Sequence, residues 1–272
     1  MELEFWGVRG TTPVSGKGKN KYGGHTPCAA LTALGGETII IDAGTGIKEL
    51  GDKLIKEKKE GPLSLSLLLT HFHLDHIMGL PFFAPLYSAE TLITIYAMAS
   101  PRETEKYLGT LMASPFFPMD FSGTKATKLF KRVEEESFAL GRVLVSSCLL
   151  HHPQGSIAYK FQEKEKSLVF ATDTENPPGG IDGRLVSFAR GASIFIYDAT
   201  FTPEEYEEGR RGWGHSTWLE GTKIAKEAKV SDLCLSHFNP DHSDRNIDRM
   251  ITQAQKEFSQ TFAAREGLKI SL

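Results

Sequence analysis

Short apolar runs alternate with amphipathic stretches along most of the 272 residues. "ETIIIDAG", residues 37–44, has the continuous apolar centre of a buried strand and stops at a glycine turn. The stretch that follows, "TGIKELGDKLIKEKKEGP", predicts a helix with Ile47, Leu50, Leu54 and Ile55 on one face, closed by Gly61-Pro62. "SLSLLLTH" reads as another strand, "MGLPFFAPLY" as a short helix or turn, and "TLITIYAM" as a strand. "SPRETEKYLGTLM" predicts a helix opened by Ser100 and Pro101. Between Lys128 and Thr172 the period shortens to that of strands, in "VLVSSCLL", "SIAYKFQ" and "SLVFATD", with "QEKEKS" as a polar hairpin turn. "ASIFIYDAT" and "DLCLSHF" are further strands. "STWLEGTKIAKEAKV" predicts a helix with Thr217 and Glu220 spaced as a capping box, and "RNIDRMITQAQKEF" the last helix.

Strands and helices are thus interleaved, but the strand-rich block breaks a simple βαβ alternation. Mixed sheets with helices outside are expected, rather than one doubly wound parallel sheet. Loops such as "SGKGKNKYGG" and "TENPPGGIDGR" are too short to separate domains, so residues 1–272 are expected to form one domain. Apolar residues make up 40% of the chain, enough for a sizeable core. A formal net charge of -3 gives no broad surface for nucleic acid or membrane. The first residues, "MELEFWGVRG", lack the basic and apolar parts of a signal peptide, and no apolar run reaches the length of a membrane span. Cys28, Cys148 and Cys234 are odd in number and far apart, which fits thiols packed as small apolar groups in a reducing compartment. A cytoplasmic protein is expected.

One stretch changes the picture. "LLLTHFHLDHIMGL", residues 67–80, sets His71, His73, Asp75 and His76 directly after an apolar strand. His71 and His73 are two apart, so in extended chain both rings fall on one side, while Asp75 and His76 follow a turn and face a second point. Imidazole and carboxylate together suit zinc, and manganese or iron with less preference. Four donors do not hold two ions, but further donors end other expected strands: His151 and His152, Asp173, and His237. Neighbours on a strand face opposite ways, so only one of His151 and His152 joins. Asp173, with two oxygens, is placed to bridge two cations.

The order T-H-x-H-x-D-H, H-P, A-T-D and L-S-H resembles the metallo-β-lactamase superfamily, over nearly the whole chain from "FWGVRGTTP" to "HFNPDHSD". "GVRGTTP", "YGGHTPC", "IDAGTGIKELG", "LPFFAPLY" and "ATDTE" are similar to its cyclic-nucleotide-type phosphodiesterases, and "GHSTWLEGTKIAKEAKVSDLCLSHF" to the closing region of tRNase Z. The resemblance implies an α/β (α+β) fold, an αββα sandwich of two mixed sheets flanked by helices. It implies that His71, His73 and His152 bind one metal, that Asp75, His76 and His237 bind the other, and that Asp173 bridges them. His152 is preferred to His151 because the family's histidine directly precedes proline. The implied cofactors are two divalent ions, zinc first, manganese or iron second. Departures narrow the chemistry. Asp173 stands where the commonest β-lactamases carry cysteine, and His73 where flavodiiron-like members carry glutamate. Glyoxalase II shares the first motif without the flanking stretches. Between His152 and Asp173 there are 20 residues, enough for a strand pair but not for the tRNA-gripping arm of tRNase Z.

The expected function is a metal-dependent phosphodiesterase acting on a small, cyclic-nucleotide-like diester. A tRNase Z-like endoribonuclease without the arm is the alternative, and a metal-binding scaffold without turnover is disfavoured by the full donor set. Two cations about 3.5–4 Å apart lower the pKa of a shared water and so supply hydroxide at neutral pH. Asp75 is expected both to ligate and to orient that nucleophile. His215, in the glycine-flanked "GWGHSTW", is either a loop histidine or, as in tRNase Z, the proton donor to the leaving oxygen, and the second is preferred. Asp42 either accepts a hydrogen bond from a ligating histidine or is a turn aspartate. His25 and Arg9 are expected substrate contacts, while Arg210 and Arg211 are expected to be solvated and His242 has no assigned role. The expected partner is the small diester, with nucleic acid not favoured, no membrane, and a homodimer allowed by the resemblance.

Overall fold

Each half of the chain builds one sheet. β1 (Glu2–Gly7), β2 (Cys28–Thr32) and β3 (Thr38–Ile41) form an antiparallel run. α1 (Ile47–Glu57) then returns the chain to β4 (Leu63–Leu68), parallel to β3. The one-turn α2 (Leu74–Ile77), two tight 3-10 turns, β5 (Thr91–Ala97), α3 (Pro101–Leu111) and β6 (Thr127–Arg132) complete the first sheet's parallel half. The second half begins with four antiparallel strands: β7 (Phe138–Leu140), β8 (Val143–Leu150), β9 (Ser156–Glu163) and β10 (Lys166–Ala171). α4 (Gly183–Ala189), β11 (Ile194–Asp198), α5 (Pro203–Glu207), α6 (Trp218–Ala228), β12 (Asp232–Ser236), α7 (Asp244–Glu257) and β13 (Thr261–Ala263) follow, with the strands parallel. β14 (Lys269–Ser271) crosses back to pair with β1. The two seven-stranded sheets have the orders β14-β1-β2-β3-β4-β5-β6 and β13-β12-β11-β10-β9-β8-β7. This computed structural model describes every residue except Lys59, within the first expected helix, and Glu136, within the strand-rich stretch; what was expected of those two lies outside the described residues.

Both faces of the central strands are covered, which explains their unbroken apolar runs. In β3, Ile39 and Ile41 enter the core between the sheets, while Ile40 enters a second core beneath the helices of the first half. β4 divides the same way: Leu65 and Leu67 face the helix layer and Leu68 the inter-sheet core. That inter-sheet core also takes in Val169, Phe195 and Leu235 from the second sheet. The architecture is the expected pair of mixed sheets flanked by helices.

Local signals set most helix starts. Ser100 and Glu103 form a reciprocal capping box at α3, with Pro101 at its first position. At α6 only half of the expected box forms. Thr217 accepts from the Glu220 N–H, but the Glu220 carboxylate turns away to Asn176 Nδ2 at 2.7 Å and Lys223 Nζ at 2.6 Å. Lys164 and Glu165 alone join β9 to β10, so the hairpin has no insertion.

Candidate metal centre

Six strands finish along one edge of the sandwich, and each supplies a polar residue at or just past its last apolar one. Asp42 follows β3, Thr70 and His71 follow β4, and His152 follows β8. Asp173 follows β10, Asp198 ends β11 and His237 follows β12. The backbone there is unusual. Asp42, Asp173 and His237 have φ of 59°, 58° and 59°, and Thr11 and Gln154 both have 66°. Five of the seven left-handed non-glycine residues in the described chain therefore sit at this edge, a concentration of strain found at functional sites. Glycines make the close approaches. A Cβ at Gly10 would run into the His237 ring, and one at Gly214, whose φ is 81°, into His152 and Pro153.

The donors fall into sets whose ligand atoms lie within 4.8 Å of one another: His71, His73 and His152 in one, and Asp75, His76 and His237 in another. Asp173 stands between them. Its Oδ1 is 3.3 Å from His237 Nε2 and 3.9 Å from His71 Nε2, and its Oδ2 is 3.2 Å from His76 Nε2. Of the neighbours at 151 and 152, the second turns inward.

Outer partners fix which nitrogen of each ring carries hydrogen. His76 Nδ1 donates to Asp42 Oδ2 at 2.8 Å. Thr70 Oγ1 donates to Asp42 and accepts from His71 Nδ1 at 3.0 Å. Thr200 Oγ1 donates to the His237 carbonyl and accepts from His237 Nδ1 at 2.9 Å. His152 Nδ1 donates to the Gly214 carbonyl at 2.7 Å, and His73 Nε2 to Gln154 Oε1 at 3.0 Å. Every inner nitrogen is left as a bare lone pair. Two of these, His152 Nε2 and His73 Nδ1, face each other at 3.0 Å. Buried atoms without a partner include His71 Nε2, His76 Nε2, His237 Nε2 and Asp173 Oδ2. Opposed lone pairs and orphaned buried acceptors need a positive charge among them, and imidazole with carboxylate is a donor set that zinc, manganese or iron accepts. The residues present fit a divalent metal.

Without metal, the charges adjust to one another. Burial lowers the His71 imidazole well below its usual range, and His76 lowers it further. Burial works the same way on His237, but Asp173 and Asp75 outweigh it and hold that ring up at about 9. Burial pushes the Asp173 carboxyl up, yet His237 and His76 hold it well below the usual carboxylate range.

His215 joins the cluster from the loop before α6. Its Nδ1 lies 3.1 Å from Asp198 Oδ2 and 3.8 Å from Asp173 Oδ1, and its ring stacks on His237 at 5.1 Å. Asp42 takes the hydrogen-bonding alternative, since it holds His76. His25 is not brought to the donors. Its Nδ1 lies 3.1 Å from Thr45 Oγ1 and its Nε2 3.7 Å from Glu49. Arg9 is a correction. Its guanidinium is fully buried and donates to the carbonyls of Gly23, Asn239 and His242, so it ties its own loop to the one after β12 and has no face for a substrate. Arg210 lies over Trp213 and Arg211 pairs with Glu207. His242 is buried against Glu205 at 2.9 Å.

Sequence reasoning missed Asp198, which accepts from the N–H groups of Asp173, Thr200 and Ser216 as well as from His215. "IFIYDAT" carries the same strand-then-aspartate signal as "IIIDAG", and that signal was available. It also missed Glu175, whose carboxylate accepts from the N–H groups of Gly212 and Gly214 and from the Tyr206 hydroxyl, and so holds the loop that carries His215.

The sequence profile of the beta-lactamase superfamily domain matches residues 37–238, most of the chain. The chain belongs to this family. Among its relatives, a ribonuclease Z of Thermoplasma acidophilum is 22% identical over 98% of this chain and 94% of its own length. The metallo-beta-lactamase fold protein YhfI of Bacillus subtilis shares the fold with a TM-score of 0.73 at 19% identity, covering 99% of this chain and 98% of that one. A diphosphatase of the PhnP family gives a TM-score of 0.70 at 18% identity, covering 100% and 97%. The αββα sandwich implied by the motifs is therefore the fold of a superfamily to which this chain belongs, and the chain is a metal-dependent hydrolase of that superfamily. Among the described residues no helix is long and apolar enough to cross a membrane.

Proposed function

We propose that the chain is a two-metal phosphodiesterase acting on RNA, in the manner of the ribonuclease Z relatives that it matches along almost its whole length. The observation that carries the two-metal part of this reading is the pair of bare imidazole nitrogens facing each other at 3.0 Å, with the Asp173 carboxylate between that pair's set and the second donor set. His71, His73 and His152 would hold one cation and Asp75, His76 and His237 the other, with Asp173 within reach of both sets. Zinc is the first choice. Bound there, the two ions supply Lewis acidity toward phosphoryl oxygens and lower the pKa of a shared water.

The chain's own residues do the rest. Asp75 Oδ2 accepts the Thr11 N–H at 2.7 Å, which fixes the carboxylate's direction and lets it orient the nucleophile. His215 Nδ1 donates to Asp198 Oδ2, so the opposite nitrogen of the partly exposed ring is the one that, in the doubly protonated ring, carries the proton given to the leaving oxygen. Glu175 keeps the loop under His215 from drifting.

A second reading, hydrolysis of a single small or cyclic nucleotide, is favoured by the uninserted β9–β10 hairpin, the net charge of -3 and the absence, among the described residues, of lysine and arginine from the cavity beside His71 and His73. Zinc- or manganese-loaded protein should be given a pre-tRNA with a 3′ trailer, 3′,5′-cyclic AMP and bis(p-nitrophenyl) phosphate. Trailer removal, with a rate that falls steeply with salt, supports RNA. Cleavage of cyclic AMP without the trailer moves the assignment to the second reading. Two bound metals with no hydrolysis of any of the three would sink both.

A further inference from the structure

Beside the donor set lies a cavity of about 670 Å³ whose wall includes His71 and His73. The rest of that wall is of a different kind. Phe72, Ile77, Met98 and Tyr107 make it apolar and aromatic, Gln154 and Thr110 add polar edges, and the one carboxylate, Glu103, accepts from Ser100 at the start of α3. Phe72 and Tyr107 meet edge to face at 5.1 Å and 71°, and Tyr107 keeps 42% of its surface exposed. We infer that this cavity seats one nucleobase, stacked against Tyr107 and Phe72, next to the phosphate that the histidines and their metals hold.

The inference rests on the phosphodiesterase reading above and narrows its substrate to a nucleotide unit. Three features select a base over other groups. Among the described residues the wall holds no lysine or arginine, so it does not receive a second phosphate. Its open aromatic surface offers a π-face, and stacking of a base on such a face is tolerant of sequence. Its polar edges suit a heteroaromatic rim: Gln154 spends its Oε1 on His73, which leaves its amide hydrogens, and Thr110 donates to the Lys106 carbonyl, which leaves its oxygen as an acceptor. An alkyl or lipid chain would leave these groups unmatched. The apolar track also runs on. Ile77, Tyr107 and Thr110 line a second depression of about 330 Å³ together with Phe116, which is 82% exposed. A neighbouring base of a longer strand finds its aromatic surface there.

The test compares adenosine 2′,3′-cyclic phosphate with glycerol 1,2-cyclic phosphate, which presents a cyclic diester without a base. In metal-loaded Tyr107→Ala the ratio of kcat/KM between these substrates should fall about five- to a hundredfold, mostly through KM for the adenosine diester. Tyr107→Phe should restore it, and Leu144→Ala, exposed on β8 and absent from the cavity wall, should leave it unmoved. An unchanged ratio in Tyr107→Ala overturns the inference. Adenosine itself, followed by saturation-transfer NMR on the full chain, separates this failure from failure of the phosphodiesterase reading. If wild-type protein hydrolyses no diester yet binds adenosine through Tyr107, that reading falls and the base seat stands. If adenosine does not bind, the seat falls, and a concentration-dependent dimer that covers Tyr107 and Phe116 would assign the face to a second copy instead.

Discussion

Asp42 and Asp198 end strands in opposite sheets, and each holds a histidine by its Nδ1, yet the surroundings of the two pairs differ. Asp42 and His76 are both fully buried, and Thr70 occupies the remaining carboxylate positions. That ring has one orientation and one tautomer. Asp198 is equally buried, but His215 keeps 15% of its side chain open to the cleft. The charges differ as well. Burial pushes the Asp42 carboxyl above its usual range, with His76 only partly opposing it, whereas His215 and His237 together hold Asp198 below. On the reading proposed above, the first arrangement orients a metal ligand. The second keeps a carboxylate charged beside a ring that reaches solvent, which a proton donor requires.

Removing the exposed ring is the strongest way to break this comparison. His215→Ala should lower turnover of a diester with an alkyl leaving group by about 10²–10⁴-fold, and far less for a p-nitrophenyl leaving group, which departs without a proton. Metal content should not change, because the two donor sets remain. Equal losses on both substrates would mean that His215 acts as a structural prop.

Taking the metals away probes the buried side. His237 sits at about 9 in the metal-free fold, above its ordinary 6.5. A raised imidazole stabilises the folded state fully below the unfolded value, and this is lost as pH climbs from about 6.5 through 9. Chelator-treated protein should therefore lose on the order of 3 kcal/mol across that window, read from urea midpoints. Zinc-loaded protein should not follow, since its rings have given up their protons and metal affinity instead weakens in acid. Parallel curves for the two forms would contradict the assignment of His237 as a ligand.

Asp42→Asn attacks the locked pair with one atom changed. The amide cannot accept from both Thr70 and His76, so the ring loses its fixed tautomer, and metal affinity should fall about 10–100-fold in a chelator competition. Asp198→Asn should affect turnover more than affinity. If the two variants behaved alike, the distinction drawn between the pairs would fail.

The parts of the site that were legible in the sequence share a property: each stands alone in an apolar context or repeats a dense motif. His71, His73, Asp75 and His76 crowd six positions, and Asp173 and His237 punctuate apolar strands. Strand alternation admitted only one of His151 and His152 and could not say which, because that depends on how the chain leaves β8; the inward turn of His152 is fixed by its bond to Gly214. Arg9 was misjudged since an arginine among glycines reads as an anion contact, while its three carbonyl partners come from residues 14 to 233 positions away. β1 was overlooked although its glutamates alternate with Leu3 and Phe5 at the period of a half-buried strand, while β14 is three residues long and is made a strand by pairing with β1. The left-handed backbone at Asp42, Asp173 and His237 was invisible for a related reason. It is imposed by the sheet edge and contradicts what those residues prefer alone.

Gln154 gives the finest test, because it joins that strained backbone to the exposed side of the site. Its φ of 66° aims the side chain at His73, whose Nε2 it accepts at 3.0 Å, leaving Nδ1 bare toward His152. His73 is the one member of its donor set whose outer bond is exposed to solvent, so water can replace part of what Gln154 does. Gln154→Ala should therefore cost only about 0.5–1.5 kcal/mol in metal affinity, below the effect of Asp42→Asn. Gln154→Gly should recover part of the loss by relieving the left-handed strain, without restoring the acceptor. If alanine cost as much here as asparagine does at Asp42, burial would not be what separates a lock from an adjustable contact, and exposure of the outer bond would have to be abandoned as the measure of how firmly each histidine is held.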